Sequence, residues 1–313
     1  MKYFVIGAGA IGKRHHQNLL SLGADVALLG WRELDLEALA KLLKSTPSAI
    51  VIATASQIRL PLIDLAVSTN TPIYVEKPIA FRTQDLEHIY KISAPIIDRS
   101  MVGFMMRYHP IVQNLSERSF DDTFRFTFEI GHDVRQWREN WAFSDSYAAQ
   151  SEGGGVLLDL CHELDLAQLL FPNAQLQQVD SLGHTDFPNV DVATRITLAA
   201  ANGPSGTVAM DYLAPHSTRR ITLRGIKSVS DIDLLTCTET TSDAEGTRKH
   251  DAMFERNQMF MDIMRDFMTL AETGKRPKNK IAPVMDQVYD SCSLIAQAWE
   301  KRAFHGVIDG GMT

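Results

Sequence analysis

Residues 3–6, YFVI, run directly into GAGAIG at 7–12 and then into KRHHQNLLSLG, a stretch of helical character that Gly23 ends. An apolar run without polar alternation suits a strand covered on both faces. Glycines then allow a turn too tight for side chains, and the helix behind them starts with backbone N–H groups that have no partner inside the helix. Few folds begin this way. The pattern predicts strand, turn and helix of a parallel sheet. Gly7, Gly9 and Gly12 complete G-x-G-x-x-G, so that the pyrophosphate of a dinucleotide can meet the helix N-terminus. Ala10 and Ile11, inside the motif, belong to the same expected cofactor contact.

The alternation continues through DVALL (25–29), LDLEALAKLLK (34–44), AIVIAT (49–54), LPLIDLAVST (60–69) and TPIYVE (71–76). These segments predict a doubly wound, Rossmann-type parallel sheet over residues 1–118. Beyond that point TFRFTFEIG, VATRITLAA, GTVAMDYLA and RRITLRGI alternate apolar and polar residues, as antiparallel strands with one wet or partner-covered face do. Between the first two lies a glycine-led helix, GGGVLLDLCHELDLAQLLF, and helices are expected near 253–273 and 283–303. Residues 119–313 thus read as an α+β substrate domain with a large, open, mostly antiparallel sheet. Such a sheet commonly pairs with another subunit, so a homodimer or homotetramer is expected.

Bulk properties narrow the class. A net charge of −7 with no lysine or arginine block argues against nucleic acid, which needs clustered positive charge. No apolar run reaches about 18 residues, and MKYFVIGAGAIG breaks into glycines before a signal-peptide core forms, so no membrane contact and a cytoplasmic location are expected. Cys161, Cys237 and Cys292 fit neither a disulfide framework nor a zinc pattern and read as reduced and structural. His15, His16, His109, His132 and His184 share no ligand spacing, so no metal is expected.

An acidic side chain at the end of the second strand would grip the adenosine ribose. Here Gly30 stands in that place, followed by Trp31 and Arg32. Without the carboxylate there is no repulsion toward a 2′-phosphate, and a guanidinium binds one well, so NADP is favoured over NAD; Glu33 is the alternative acid. YVEKPIA (74–80) then ends its strand with Glu76, Lys77 and Pro78 where ligands sit in open α/β sheets, placing Lys77 at the cofactor with Glu76 to balance its charge.

Together GAGAIGKRH, IVIATAS, YVEKPIA, VGFMMRYHP and GGGVLLDLCHELD, in that order along essentially the whole chain, resemble the Gfo/Idh/MocA family of nicotinamide-dependent sugar and polyol oxidoreductases. The resemblance implies a Rossmann domain joined to an α/β domain whose open sheet mediates oligomerisation, with substrate at the Glu-Lys-Pro lysine. It makes Lys77 the active-site lysine and His162 with Asp165 the H-x-x-D pair. It extends the cofactor contacts to Ala53, Thr54, Ser56 and Glu76, and sets Arg107 of FMMRYHP toward substrate. The chain departs from the family at Met105, at Ala55 and before the histidine. There an aspartate is usual four residues back, whereas this chain has Leu158 at that position and Asp159 three back, a spacing that still keeps the pair on one helical face.

GHDVRQWRENWAFSDSYAAQ (131–150) resembles a stretch of a family subset associated with bacterial surface-sugar synthesis, with Trp137, Arg138 and Tyr147 as the matching parts. An indole packs on a sugar ring and the other two grip hydroxyls, phosphates or carboxylates; interdomain packing is the alternative. The triple glycine 153–155 reads either as a backbone approached by substrate or as a flexible helix entry. The implied reaction passes a hydride between nicotinamide and a secondary alcohol or ketone of a sugar, polyol or sugar nucleotide, with His162 or Lys77 handling the proton. Two alternatives remain, a redox-neutral enzyme that cleaves a glycoside with a tightly held cofactor, and a non-catalytic dinucleotide-binding regulator. Retention of Lys77 and His162 counts against the regulator.

Overall fold

The computed structural model describes residues 1–46, 48–136, 142–310 and 312. In chain order the elements begin β1 (Lys2–Ile6), α1 (Ala10–Ser21), β2 (Asp25–Leu29), α2 (Leu36–Ser45), β3 (Ser48–Ile52), α3 (Leu60–Ser68), β4 (Ile73–Val75), α4 (Thr83–Ile92) and β5 (Met101–Val102). There follow α5 (Pro110–Leu115), β6 (Thr123–Gly131), α6 (Val156–Asp159), α7 (His162–Leu170), β7 (Gln175–His184), β8 (Ala193–Ala199), β9 (Ser205–Asp211) and β10 (Thr218–Gly225). The last are β11 (Ser228–Asp233), β12 (Thr238–Asp243), β13 (Gly246–Asp251), α8 (Arg256–Thr273), α9 (Tyr289–Glu300) and β14 (Ala303–Ile308).

Two compact units emerge, one from residues 1–109 with 255–293 and one from 110–254 with 294–313. The division expected from sequence, 1–118 and 119–313, follows chain order, whereas these units each take two pieces of chain. Residues 255–293 join the first unit because α8 carries an apolar stripe, Met259, Phe260, Ile263, Met264, Phe267 and Leu270, at helical spacing. It packs on α1, and Phe267 meets Tyr3 and Tyr74 edge-on with ring centroids 6.4 and 5.7 Å away.

The first unit holds a five-stranded parallel sheet in the order β2-β1-β3-β4-β5. β3 and β4 are buried along their whole length, as is β1 from Tyr3 onward, which is why their sequences show no polar alternation. The chain passes over β1 between β2 and β3, so the carboxyl ends of β1 and β3 flank the point where strand order reverses.

The second unit is built on a nine-stranded sheet, β13-β12-β11-β10-β6-β9-β8-β7-β14, antiparallel except for the β6/β9 and β7/β14 pairs. β8 and β9 alternate as expected, burying Thr194, Ile196, Leu198, Val208 and Met210 while Arg195, Thr197 and Thr207 face the other way. α6 and α7 pack on β6, β8 and β9.

Three features differ from expectation. β12 and β13 carry no apolar pattern because they lie outside the core; all of β13 is exposed, and it is held to β12 by ladder hydrogen bonds together with the polar side-chain pairs Ser242–Thr247 and Asp243–Arg248. The helix expected at 283–303 spans only Tyr289–Glu300, and Ala303, its last expected residue, opens β14, which pairs with β7. The glycine-led helix is two helices, broken after Asp159. The cysteines are buried free thiols.

Glu163 on α7 and Arg219 on β10 form a buried pair, with Arg219 Nε 2.5 Å from Glu163 Oε1 and side chains only 11% and 2% exposed. Removing one partner strands a buried charge, at a cost of about 3–5 kcal/mol. Arg219→Met is expected to lower the urea midpoint of this unit sharply, and adding Glu163→Leu to recover much of the loss. A double variant no more stable than the single one would disprove the charge origin of the cost.

Candidate active site

The turn after β1 has the form that its glycines suggest. Gly7 has φ +116°, and a Cβ on Gly12 would overlap the Gly7 carbonyl oxygen, so helix and turn approach closer than any side chain permits. Gly9 is the opposite case, since a Cβ there meets nothing within 4 Å. It is the N-cap of α1, where no side chain bonds the cap and no acidic residue stands in the first turn. Gly9 and Ala10 are exposed and Ile11 is half-buried, so this helix start is open to solvent. This is a cradle of the shape and polarity that a pyrophosphate takes.

Neighbouring strand ends complete that edge. Gly7 N–H donates to Leu29 O at 2.9 Å, and Ala53 N–H donates to Ile6 O at 2.8 Å, which ties the exits of β2 and β3 to that of β1. Gly30 follows β2 with open space where a Cβ would be, and Arg32, in the short turn Trp31–Glu33, is exposed. Asp35, the next carboxylate but one, caps α2 by accepting from Glu37 and Ala38 N–H groups. Ala53 and Thr54 lie buried beyond β3, and Ser56 Oγ reaches Pro78 O at 3.5 Å.

At the exit of β4, Glu76 is a buried carboxylate. His15 Nε2 of α1 lies 2.7 Å from its Oε1, and Lys77 N–H donates to its Oε2 at 3.2 Å. The His15 ring is fully buried against Tyr74, edge-on at 5.1 Å. Burial by itself would raise the Glu76 carboxyl; the His15 hydrogen bond and charge, with Lys77 and Arg59, outweigh it and hold the group below its ordinary value of 4.5. The Arg59 guanidinium is buried nearby and donates to the carbonyls of Thr54, Glu76 and Pro78. Lys77 sits half-buried between two of those carbonyls. Neither His15 nor Arg59 was singled out as a site residue. One sits in a His-His pair with no metal spacing and the other is a lone arginine before a helix, and nothing in either local pattern signals its partner.

In the second unit His162 opens α7 and is buried with Asp165 and Glu163. Asp159 ends α6, so it and His162 are on separate helices rather than on one helical face. Its carboxylate accepts from Tyr147 Oη and, at 3.2 Å, from Tyr212 Oη. The structure thus brings together Tyr147 and Asp159, two residues expected at the site for separate reasons, and adds Tyr212. Burial, then the Asp159 charge, pushes the Tyr212 phenol well above its ordinary value, so it stays a donor.

The glycines ahead of α6 admit the chain itself. A Cβ on Gly154 would press on the carbonyl oxygens of Tyr147, Ala148 and Gln150, and one on Gly155 would overlap Asp191. Asp191 anchors that helix start, accepting from Val156 N–H at its carbonyl and from Leu157 N–H at Oδ2. Burial raises its carboxyl although Arg302 Nε stands 3.6 Å from Oδ1. Arg107 is buried in the first unit, its Nη2 donating to Ser291 Oγ at 3.1 Å. Trp137 and Arg138 lie outside the described residues. Among the described residues no helix is long and apolar enough to cross a membrane, and no cluster of three potential ligands is placed to hold a metal.

Residues 117–229 match the family model of the GFO/IDH/MocA C-terminal domain. No curated protein matches the chain in sequence. Its fold is similar to that of UDP-N-acetylglucosamine 3-dehydrogenase GnnA from Acidithiobacillus ferrooxidans, with TM-score 0.74 and 17% identity over 96% of both chains. It is also similar to levoglucosan dehydrogenase in complex with NADH and levoglucosan (TM-score 0.74, 16% identity, 96% of this chain and 98% of that one). A third is an oxidoreductase from Agrobacterium radiobacter in complex with NAD+, L-tartaric acid and magnesium (TM-score 0.74, 15% identity, 96% of both). The Gfo/Idh/MocA resemblance read from the sequence is borne out by the domain match and by the two-sheet fold.

Because Glu76 titrates below its ordinary value when folded, its pairing adds stability that is complete above that value and is lost as pH falls through the depressed one. Glu76→Gln is therefore expected to flatten the fall in urea midpoint on acidification between about pH 6 and pH 3. An unchanged slope would count against an ionised, paired Glu76.

Proposed function

We propose that the protein is a nicotinamide-dependent oxidoreductase that interconverts a secondary alcohol and the matching ketone on a sugar or sugar nucleotide. The observation that carries this reading is that one sheet edge holds both an open, uncapped helix start behind Gly9 and the Glu76–Lys77 pair. The descriptions of the similar structures, which name UDP-N-acetylglucosamine 3-dehydrogenase, NADH, NAD+ and levoglucosan, support it.

The α1 amides and Gly7–Gly12 hold the pyrophosphate, Ala53, Thr54 and Ser56 border the cofactor, and Gly30 with Arg32 receives the adenosine ribose. When bound, the nicotinamide supplies the acceptor or donor of the hydride. Lys77 presents a cation that orients the substrate oxygen, and His162 takes or returns its proton. Tyr147, held by Asp159, offers its oxygen lone pairs to a substrate hydroxyl, since its proton is already committed. Screening sugars and sugar nucleotides for change in reduced-nicotinamide absorbance tests the reading; cofactor binding without turnover on any of them would favour a regulator.

Histidine ordinarily titrates near about 6.5 and lysine near about 10.4, which favours His162 as the base. Lys77→Met and His162→Asn are each expected to lower kcat by at least about 100-fold while cofactor binding persists. Only His162→Asn should abolish the acidic limb of the pH profile for alcohol oxidation. Loss of that limb in Lys77→Met alone would exchange the roles.

The similar structures hold NADH and NAD+, so a preference for NADP rests on this chain's own Gly30 and Arg32. If Arg32 binds the 2′-phosphate, Arg32→Ala should weaken NADP by at least about tenfold, the lower scale of a charged hydrogen bond, and leave NAD nearly unchanged. Calorimetric titration of both cofactors decides it; equal losses would reject the role.

A further inference from the structure

We propose that Arg59 is a positioning residue that sets the place of Lys77 relative to the cofactor edge; the proposal rests on the functional reading above. Arg59 follows the short turn Ser56–Ile58 at the start of α3 and is 4% exposed. Its Nε and Nη2 donate to Thr54 O at 3.1 and 2.7 Å, and its Nη1 donates to the carbonyls of Glu76 and Pro78. Thr54 lies two residues beyond β3, while Glu76 and Pro78 stand on either side of Lys77. One planar group therefore joins the exits of two neighbouring parallel strands, and two of its three carbonyl acceptors bracket the lysine.

Other bonds finish the constraint. Lys77 N–H is held by Glu76 Oε2 at 3.2 Å, and His15 holds the other Glu76 oxygen at 2.7 Å. The peptide units on both sides of Lys77 are thereby held at the strand exit. Only a guanidinium suits the task, because its donors diverge in a fixed plane and reach several carbonyls at once, whereas an ammonium is a compact point charge. Burying a cation here is costly, and the carboxylate of Glu76, whose titration feels the Arg59 charge, offsets the cost. A neutral side chain would pack this site without that cost but would leave the three carbonyls unbridged. The use of the charge is thus geometric.

Arg59→Lys keeps the charge and removes the fork. The test compares acetylation of lysine ε-amines by acetic anhydride in the full chain, read by peptide mass spectrometry, with exposed Lys41 and Lys44 as internal references. NADH binding is followed by its fluorescence. The expected result is a Lys77 labelling rate raised by at least about threefold at unchanged Lys41 and Lys44 rates, with NADH affinity kept within about twofold and a wild-type-like melting temperature, because the lysine's loop alone loosens. Guanidinium ion at sub-denaturing concentration should return Lys77 labelling in Arg59→Ala toward the wild-type rate. In a dehydrogenase assay, kcat of Arg59→Lys should fall at least about tenfold with KM little changed, as a misplaced catalytic group would produce.

Wild-type Lys77 labelling in a folded Arg59→Lys protein would overturn the proposal. So would a parallel rise at Lys41 and Lys44, or unfolding of every variant, since either makes Arg59 a residue of the fold alone. Failure of the wild-type chain to bind any nicotinamide dinucleotide would instead remove the functional reading, while the labelling result would still decide whether Arg59 positions Lys77.

Discussion

The buried charge of Glu76 is the constraint around which the first unit's ligand edge is arranged. A carboxylate taken out of water must find partners or give up its charge. Here one oxygen meets His15, on the helix that starts at the glycine turn, and the other meets the backbone N–H of Lys77. Arg59 sits nearby with its donors on the adjoining carbonyls. The glycine turn, the exit of β3 and the lysine are consequently linked through polar groups that cannot move independently without leaving a buried charge unpaired. This explains why an apolar strand ends in opposite charges followed by proline. The glutamate locks the local backbone, and the proline stops the strand.

A parallel arrangement holds in the second unit, with a different chemistry. Asp191 bonds the start of α6 through backbone amides, and Gly154 and Gly155 let that start lie against it and against residues 147–150. The helix so placed delivers Asp159 to Tyr147 and Tyr212. Gly154 and Gly155 are thus required by close packing of the chain on itself, and Gly153 suits its φ of +73°. The break between α6 and α7 separates Asp159 from His162, which turns the apparent spacing of those residues into two local geometries rather than one helical face.

Much of the fold was legible because its signals are periodic and local. The glycine turn, the unalternating strands β1, β3 and β4, and the alternating strands β6, β8, β9 and β10 each follow from burial on two faces or on one. Where apolar burial was absent the signal was absent too, as in β12 and β13, whose polar residues are held by ladder bonds and by polar side-chain pairs such as Arg118–Glu239 and Asp243–Arg248. β14 was not expected from sequence, apart from Ala303 being placed at a helix end, because its few residues carry no period of their own and pairing with β7 decides their conformation.

What the sequence by itself determined is which residue types stand at the first turn and at the end of the fourth strand, since main-chain chemistry limits what fits there: Gly7, Gly9 and Gly12 at the turn, and Glu76, Lys77 and Pro78 after β4. Only the tertiary structure decided which distant side chains hold them. His15 and Glu76 are 61 residues apart, Arg59 and Glu76 17, and Tyr212 and Asp159 53. A hydrogen bond leaves no periodic trace when its partners come from different elements, because nothing near either residue in the chain has to change for the pair to form.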